Sequence, residues 1–175
     1  MGFMKKVFIF LAVAVLILVV VSFFLANEFE ASRSIVIKAP PEKVHEYVGD
    51  LRKWDAWAPW KESDPSLEIT YGEKTTGVGA TQSWKGEKGG GRLTFTMCDP
   101  GKGITYDLVF DDRGPKNVSS MLYEVTPEGT KVTWALKGKI DIPVLGPYFA
   151  LLVKGLIAEE FEKGLRKLAE AVEGG

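Results

Sequence analysis

The sequence predicts an α+β domain, an antiparallel sheet of about seven strands with a long C-terminal helix lying across it, behind a separate N-terminal transmembrane helix. Three observations predict it. Residues 7–26 are almost wholly apolar, six short alternating segments follow residue 66, and residues 147–172 carry apolar side chains at helical spacing. The chain has 175 residues, 26% of them charged, and a net charge of -1, which suits one globular domain and gives no bulk attraction to nucleic acid. Cys98 and His45 are each the only residue of their type. One chain therefore cannot build an internal disulfide, a cysteine-based metal cluster or a multi-histidine zinc site, and no cofactor is expected.

Residues 7–26 read VFIFLAVAVLILVVVSFFLA, with Ser22 as the only polar member. As a helix they can cross a hydrocarbon layer of about 30 Å. A cleavable signal peptide has a shorter apolar region and small residues before the cut, yet Phe24 stands where one is needed for cleavage after Ala26. An uncleaved anchor is the expectation. Lys5 and Lys6 precede the span whereas Glu28 and Glu30 follow it, which keeps residues 1–6 in the cytoplasm and sends the domain, residues 33–172, to the other side. The linker between them, residues 27–32, reaches only about 20 Å when extended and holds the domain close to the bilayer.

The first strand is expected at residues 33–38, where β-branched residues alternate with polar ones. Pro40-Pro41 then suit a helix start, and Val44, Tyr47, Val48 and Leu51 recur at i, i+3, i+4 and i+7. His45 falls on the opposite, solvated side. Asp50 caps a second short helix that runs to about Trp57 and is ended by Ala58-Pro59, with Trp54, Trp57 and Trp60 on it and its exit.

The six segments SLEITYG, VGATQSWKG, GRLTFTMC, ITYDLVF, NVSSMLYEV and TKVTWALKG read as strands, and tight turns between them argue for antiparallel neighbours. Alternation assigns their faces. Asp107 and Thr105 mark a solvent face, so Ile104, Tyr106, Leu108 and Phe110 point inward. Leu93, Phe95 and Met97, then Met121, Tyr123 and Val125, then Val132, Trp134 and Leu136 follow by the same test, and Trp84 shares a face with Gln82, Ala80 and Val78. This inward surface is rich in aromatics. The last helix is read with a single apolar stripe of Phe149, Leu152, Leu156, Phe161, Leu165, Leu168 and Val172.

Strand, two short helices, six antiparallel strands and a long helix form the order of the helix-grip arrangement. The stretches IKAPPEKVHEYVGDLRKWDAWAPW, GVGATQSWKGEKGGGRLTF, KVTWALKG and EEFEKGLRKL, in that order, make the chain resemble the START-like superfamily, specifically the polyketide cyclase/dehydrase-type proteins labelled SRPBCC. The resemblance implies a curved sheet wrapped around the final helix, with a cavity between them for hydrophobic molecules. Its members range from lipid carriers to aromatase/cyclases. It also implies that the two short helices close one end of the cavity, so that Trp57 and Trp60 line or gate the entrance while Trp54 packs beneath. The expected lining adds Gln82, Trp84, Phe95, Met97, Tyr106, Leu108, Met121, Tyr123, Trp134, Phe149, Leu152 and Leu156.

Catalysis needs an inward acid, base or nucleophile. Tyr106 and Tyr123 can donate a proton and Gln82 can orient a carbonyl, but no paired carboxylates and no nucleophile with its base stand out, and no catalytic residue is assigned. GEKGGGR at 86–92 lacks the phosphate-loop pattern and reads as a flexible hairpin. A binder needs only concavity, apolar walls and a few polar groups. The expectation is a membrane-anchored binding or carrier domain for a hydrophobic small molecule or lipid, with a cyclase-like enzyme as the alternative.

Overall fold

The structure is a computed structural model that describes residues 2–111, 114–140 and 142–175. An apolar helix, α1 (Gly2–Ser22), leads into β1 (Glu28–Ile37), followed by α2 (Pro41–Val48), a 3-10 helix at Leu51–Ala56 and the single turn α3 (Trp60–Ser63). Then come β2 (Glu68–Tyr71), β3 (Thr81–Gly86), β4 (Gly89–Asp99), β5 (Gly103–Phe110), β6 (Lys116–Thr126), β7 (Gly129–Lys139) and α4 (Gly146–Gly174). The seven strands form one antiparallel sheet in the order β1-β7-β6-β5-β4-β3-β2, with α4 packed on its inner face. This is the expected helix-grip architecture.

The departures from the sequence reading are local. The helix at the N-terminus starts earlier and ends at Ser22, so residues 23–26 lie beyond it. β1 begins at Glu28 and takes in most of the expected linker, because Glu28 to Ser32 pair with Lys139 to Ala135 of β7. Its alternation is hidden by Arg33, which occupies an inward position and reaches Glu162 of α4 at 3.7 Å. Asp50 caps the 3-10 helix as expected, accepting from Arg52 N at 3.0 Å. Pro59, however, starts α3 instead of ending the run, and Trp60 is its first residue. The DDRGP turn falls partly outside the described residues, at 112–113.

Met97 is misplaced by the alternation rule. Phe95 pairs with Tyr106, but Met97 pairs with Thr105 and Cys98 with Ile104, so Thr96 is an extra residue in β4. A bulge of this kind inverts the side-chain order beyond it. Met97 therefore shares the outer face with Thr105, and Cys98 turns inward against the core.

The stripe on α4 is really two. At 100° per residue, the group Leu145, Phe149, Leu152 and Leu156 lies roughly 160° around the helix from Phe161, Leu165, Leu168 and Val172. Only the second group is buried. There α4 meets an aromatic cluster centred on Trp134, which stacks on Phe161 at 4.2 Å and receives the edges of Trp57 at 5.5 Å and Trp60 at 5.6 Å. Gly164 makes this approach possible, since a Cβ there would stand 2.7 Å from the Trp134 ring and 3.2 Å from Pro59. Gly164→Val should cost about 1–3 kcal/mol by overpacking, read as a lower unfolding midpoint of the full-length chain. An unchanged midpoint would mean that helix and cluster are not in contact. Gly155, by contrast, has open space around it.

Candidate functional site

The sheet curves away from α4 between β2 and β6, leaving a cavity of about 310 Å³. That volume sits at the small end of ligand sites, roughly 300–1,000 Å³. Its wall on the sheet is Ile69, Gln82, Trp84, Leu93, Tyr106, Leu108, Phe110, Ser119 and Leu136. Leu156, Ile157, Glu160 and Phe161 of α4 face them, and Trp54, Trp60, Ser63, Asp64 and Leu67 close one end. Lys88 and Gly89, at the β3–β4 turn, complete the rim.

Local sequence explains the wall. The Trp84 indole lies over Gly91, its cross-strand partner, where a Cβ would come within 2.3 Å of the ring. The glycine-rich hairpin GEKGGGR thus seats a large aromatic flat against the strand instead of binding phosphate. Asp64 fixes the same hairpin. It accepts from Ser66 Oγ at 2.5 Å, from Ser66 N at 3.0 Å and from Lys88 N at 3.2 Å. The Ser66 hydroxyl above all holds its carboxyl below the usual carboxylate range, and the Lys88 ammonium adds to this.

The hydroxyl, ammonium and carboxylate groups on the wall are also engaged. Lys88 Nζ donates to the Ser63 carbonyl, Ser63 Oγ donates to Glu160 at 2.7 Å, and Ser119 Oγ donates to the Ala135 carbonyl at 2.9 Å. Tyr106 accepts from Trp134 Nε1 at 3.0 Å, and burial pushes its phenol up to about 12, so it stays neutral at physiological pH. Gln82 differs. It is buried, and its Oε1 has no hydrogen-bond partner among the described residues. Such a group costs about 1–3 kcal/mol when left unsatisfied.

Six of the residues expected on the lining are there: Trp60, Gln82, Trp84, Tyr106, Leu108 and Leu156. The others lie elsewhere. Trp57 is fully buried in the Trp134 cluster and donates to the Tyr47 carbonyl at 3.2 Å, whereas Trp54, expected beneath it, lines the cavity. Phe95, Met121 and Trp134 are core residues off the cavity, Met97 is on the outer face, and Phe149 and Leu152 are exposed. Phe110, Leu93 and Leu136 had the right face in the alternation pattern; Ser63, Asp64, Leu67 and Lys88 lie in or beside turns, where periodicity carries no facing signal.

Tyr123 belongs to a second cluster. His45, expected in solvent, is half-buried, with Nδ1 3.4 Å from Tyr123 Oη and Nε2 3.4 Å from Cys98 Sγ. The inversion at Thr96 is what brings Cys98 there. A reactive thiol needs a lowered pKa and a protonated neighbour, but burial raises the Cys98 thiol, with Asp99 adding to the rise, and burial lowers His45 against a smaller opposing pull from Asp99. Both shifts favour neutral partners. The single histidine should titrate by NMR with a midpoint below its ordinary value of 6.5. Because the unfolded chain then binds the proton first, this group withdraws stability as pH falls through that range. A midpoint above 6.5 would place His45 in water or beside an anion.

The family model described as polyketide cyclase / dehydrase and lipid transport matches residues 28–173. The chain belongs to this family. No curated protein matches it. Among solved structures, the polyketide cyclase/dehydrase and lipid transport domain resembles protein CV1439 from Chromobacterium violaceum, with 21% identity, a TM-score of 0.57, and coverage of 84% of this chain and 97% of that one. It also resembles SA2116 from Staphylococcus aureus, at 11% identity and a TM-score of 0.65, covering 84% and 94% of the two chains. A third likeness is to MLL2253 from Mesorhizobium loti, at 14% identity and a TM-score of 0.61, with 82% and 96% covered. At these identities the likeness shows the fold alone. The family description spans both enzymes and carriers, so the reading of this member depends on its own cavity.

Proposed function

We propose that this protein is a membrane-anchored binding or carrier domain for a hydrophobic small molecule or lipid. The observation that carries the proposal is the cavity, whose walls are apolar and whose hydroxyl, ammonium and carboxylate groups are committed to holding those walls. Trp54, Trp60 and Trp84 offer flat apolar surface, and Gln82 offers one open polar contact to an apolar guest bearing a single hydroxyl or amide. Anchoring rests on α1, whose 21 residues contain an 18-residue window with a mean hydropathy of 2.7 and which is long and apolar enough to cross a membrane. On this reading Lys5 and Lys6 stay in the cytoplasm and the domain faces outward.

Photolabelling tests the proposal. The full-length chain, reconstituted in vesicles with an alkyl diazirine, should be labelled on peptides carrying Leu93, Leu108 and Leu136. Labels confined to α1 and other exposed surfaces would contradict it.

A further inference from the structure

The first half of α4 is built inside out. Leu145, Phe149, Leu152 and Leu156 form one stripe and are 52%, 43%, 60% and 57% exposed. The face turned toward the domain is made of Gly146, Pro147 and Ala150, all buried. Ile142 and Val144 extend the exposed surface into the preceding loop. From 142 to 153 the sequence contains no charged residue. A contiguous apolar surface of this kind marks a contact.

Its occupant follows from α1. Tyr148 Oη donates to the Leu18 carbonyl at 2.8 Å, and Ile140 N donates to the Asn27 carbonyl at 2.9 Å. The end of β7 and the first turn of α4 are therefore tied to the apolar helix and the segment that follows it. Leu18 lies about one turn, roughly 6 Å, before that helix ends at Ser22. If α1 spans a bilayer with Lys5 and Lys6 at its inner face, residues 7–22 reach about 24 Å into a core of about 30 Å, so Ser22 stands roughly 6 Å inside the outer edge of the hydrocarbon. Leu18, and with it the Tyr148 hydroxyl, is then in the outer half of the hydrocarbon. An amphipathic segment lying in the plane buries its apolar face about 5–10 Å into the interface.

We propose that residues 142–145 and the first half of α4 insert into the outer leaflet of the bilayer that α1 crosses. The apolar stripe is the inserted face, and the lipid surface is its partner. Leu156 belongs both to the stripe and to the cavity wall, so the same insertion opens the cavity toward lipid.

The proposal rests on the anchoring reading, and one experiment separates them. Full-length chains carrying Cys98→Ser and a single spin label at Leu16→Cys, Leu152→Cys or Val125→Cys are reconstituted in phosphatidylcholine/phosphatidylglycerol vesicles. Collisions with oxygen should exceed those with a water-soluble nickel chelate at positions 16 and 152, and the reverse should hold at 125, an exposed position on the sheet. A lipid signal at 16 with an aqueous signal at 152 overturns the insertion while leaving the anchor intact. An aqueous signal at 16 overturns the anchor and the insertion with it. Dipolar broadening between labels at 152 that vanishes on dilution with unlabelled chain identifies a second copy as the occupant, and also overturns the insertion.

Discussion

Trp134→Ala is expected to destabilise the domain by about 3–5 kcal/mol. Trp134 is fully buried and stands at the junction of three elements: Phe161 of α4 stacks on it, Trp57 and Trp60 meet it edge-on, and its Nε1 donates to Tyr106. Removing the indole leaves a void that Gly164 cannot fill, and it leaves the Tyr106 hydroxyl, already buried, short of a donor. Trp134→Phe keeps the stacking surface and loses only part of the volume and one hydrogen bond, so it should fall between the two. Chemical denaturation followed by tryptophan emission measures both. Equal midpoints for wild type and Trp134→Ala would show that α4 is not held by this cluster.

Leu108→Trp is expected to do the opposite, sparing the fold and emptying the site of its guest. Leu108 is only partly buried because its side chain faces the cavity between sheet and helix. An indole there enters unoccupied space, where overpacking a filled core would cost about 1–3 kcal/mol. Stability should stay near that of the wild type, while labelling of Leu93 and Leu136 by the alkyl diazirine falls by about tenfold or more, equivalent to about 1.4 kcal/mol of lost binding. A strongly destabilised Leu108→Trp with unchanged labelling would mean that the interior is packed at this point and that the guest sits elsewhere.

These two residues also show what the sequence could and could not reveal. Both point inward by simple alternation, a local property of any strand, and that rule placed nearly every sheet residue on its correct face. Val78, which precedes β3, and Val125, near the end of β6, are exposed although alternation reads them as inward. The rule could not tell which inward residue touches another and which touches empty space. Trp134 and Leu108 look alike in the pattern; only the approach of α4, closest at Gly164, makes the first a core residue and the second a wall. The spacing of Trp54, Trp57 and Trp60 likewise fixed their neighbourhood without fixing their roles. The 3-10 geometry turns Trp57 into the Trp134 cluster and Trp54 toward the cavity. Met97 was lost to the extra residue at Thr96, which carries no compositional signal. The α4 stripe was misread for a different reason. Two apolar stripes on opposite sides of one helix look like one long stripe unless the angle is followed through residues 156–161, and the change of side is itself the mark of two different partners.

The most direct measurement is native mass spectrometry of the full-length wild-type chain released from lipid nanodiscs. One apolar molecule should be retained per chain after the surrounding lipid is stripped away. A chain that emerges bare, and stays bare after incubation with fatty alcohols or fatty acids, would contradict it.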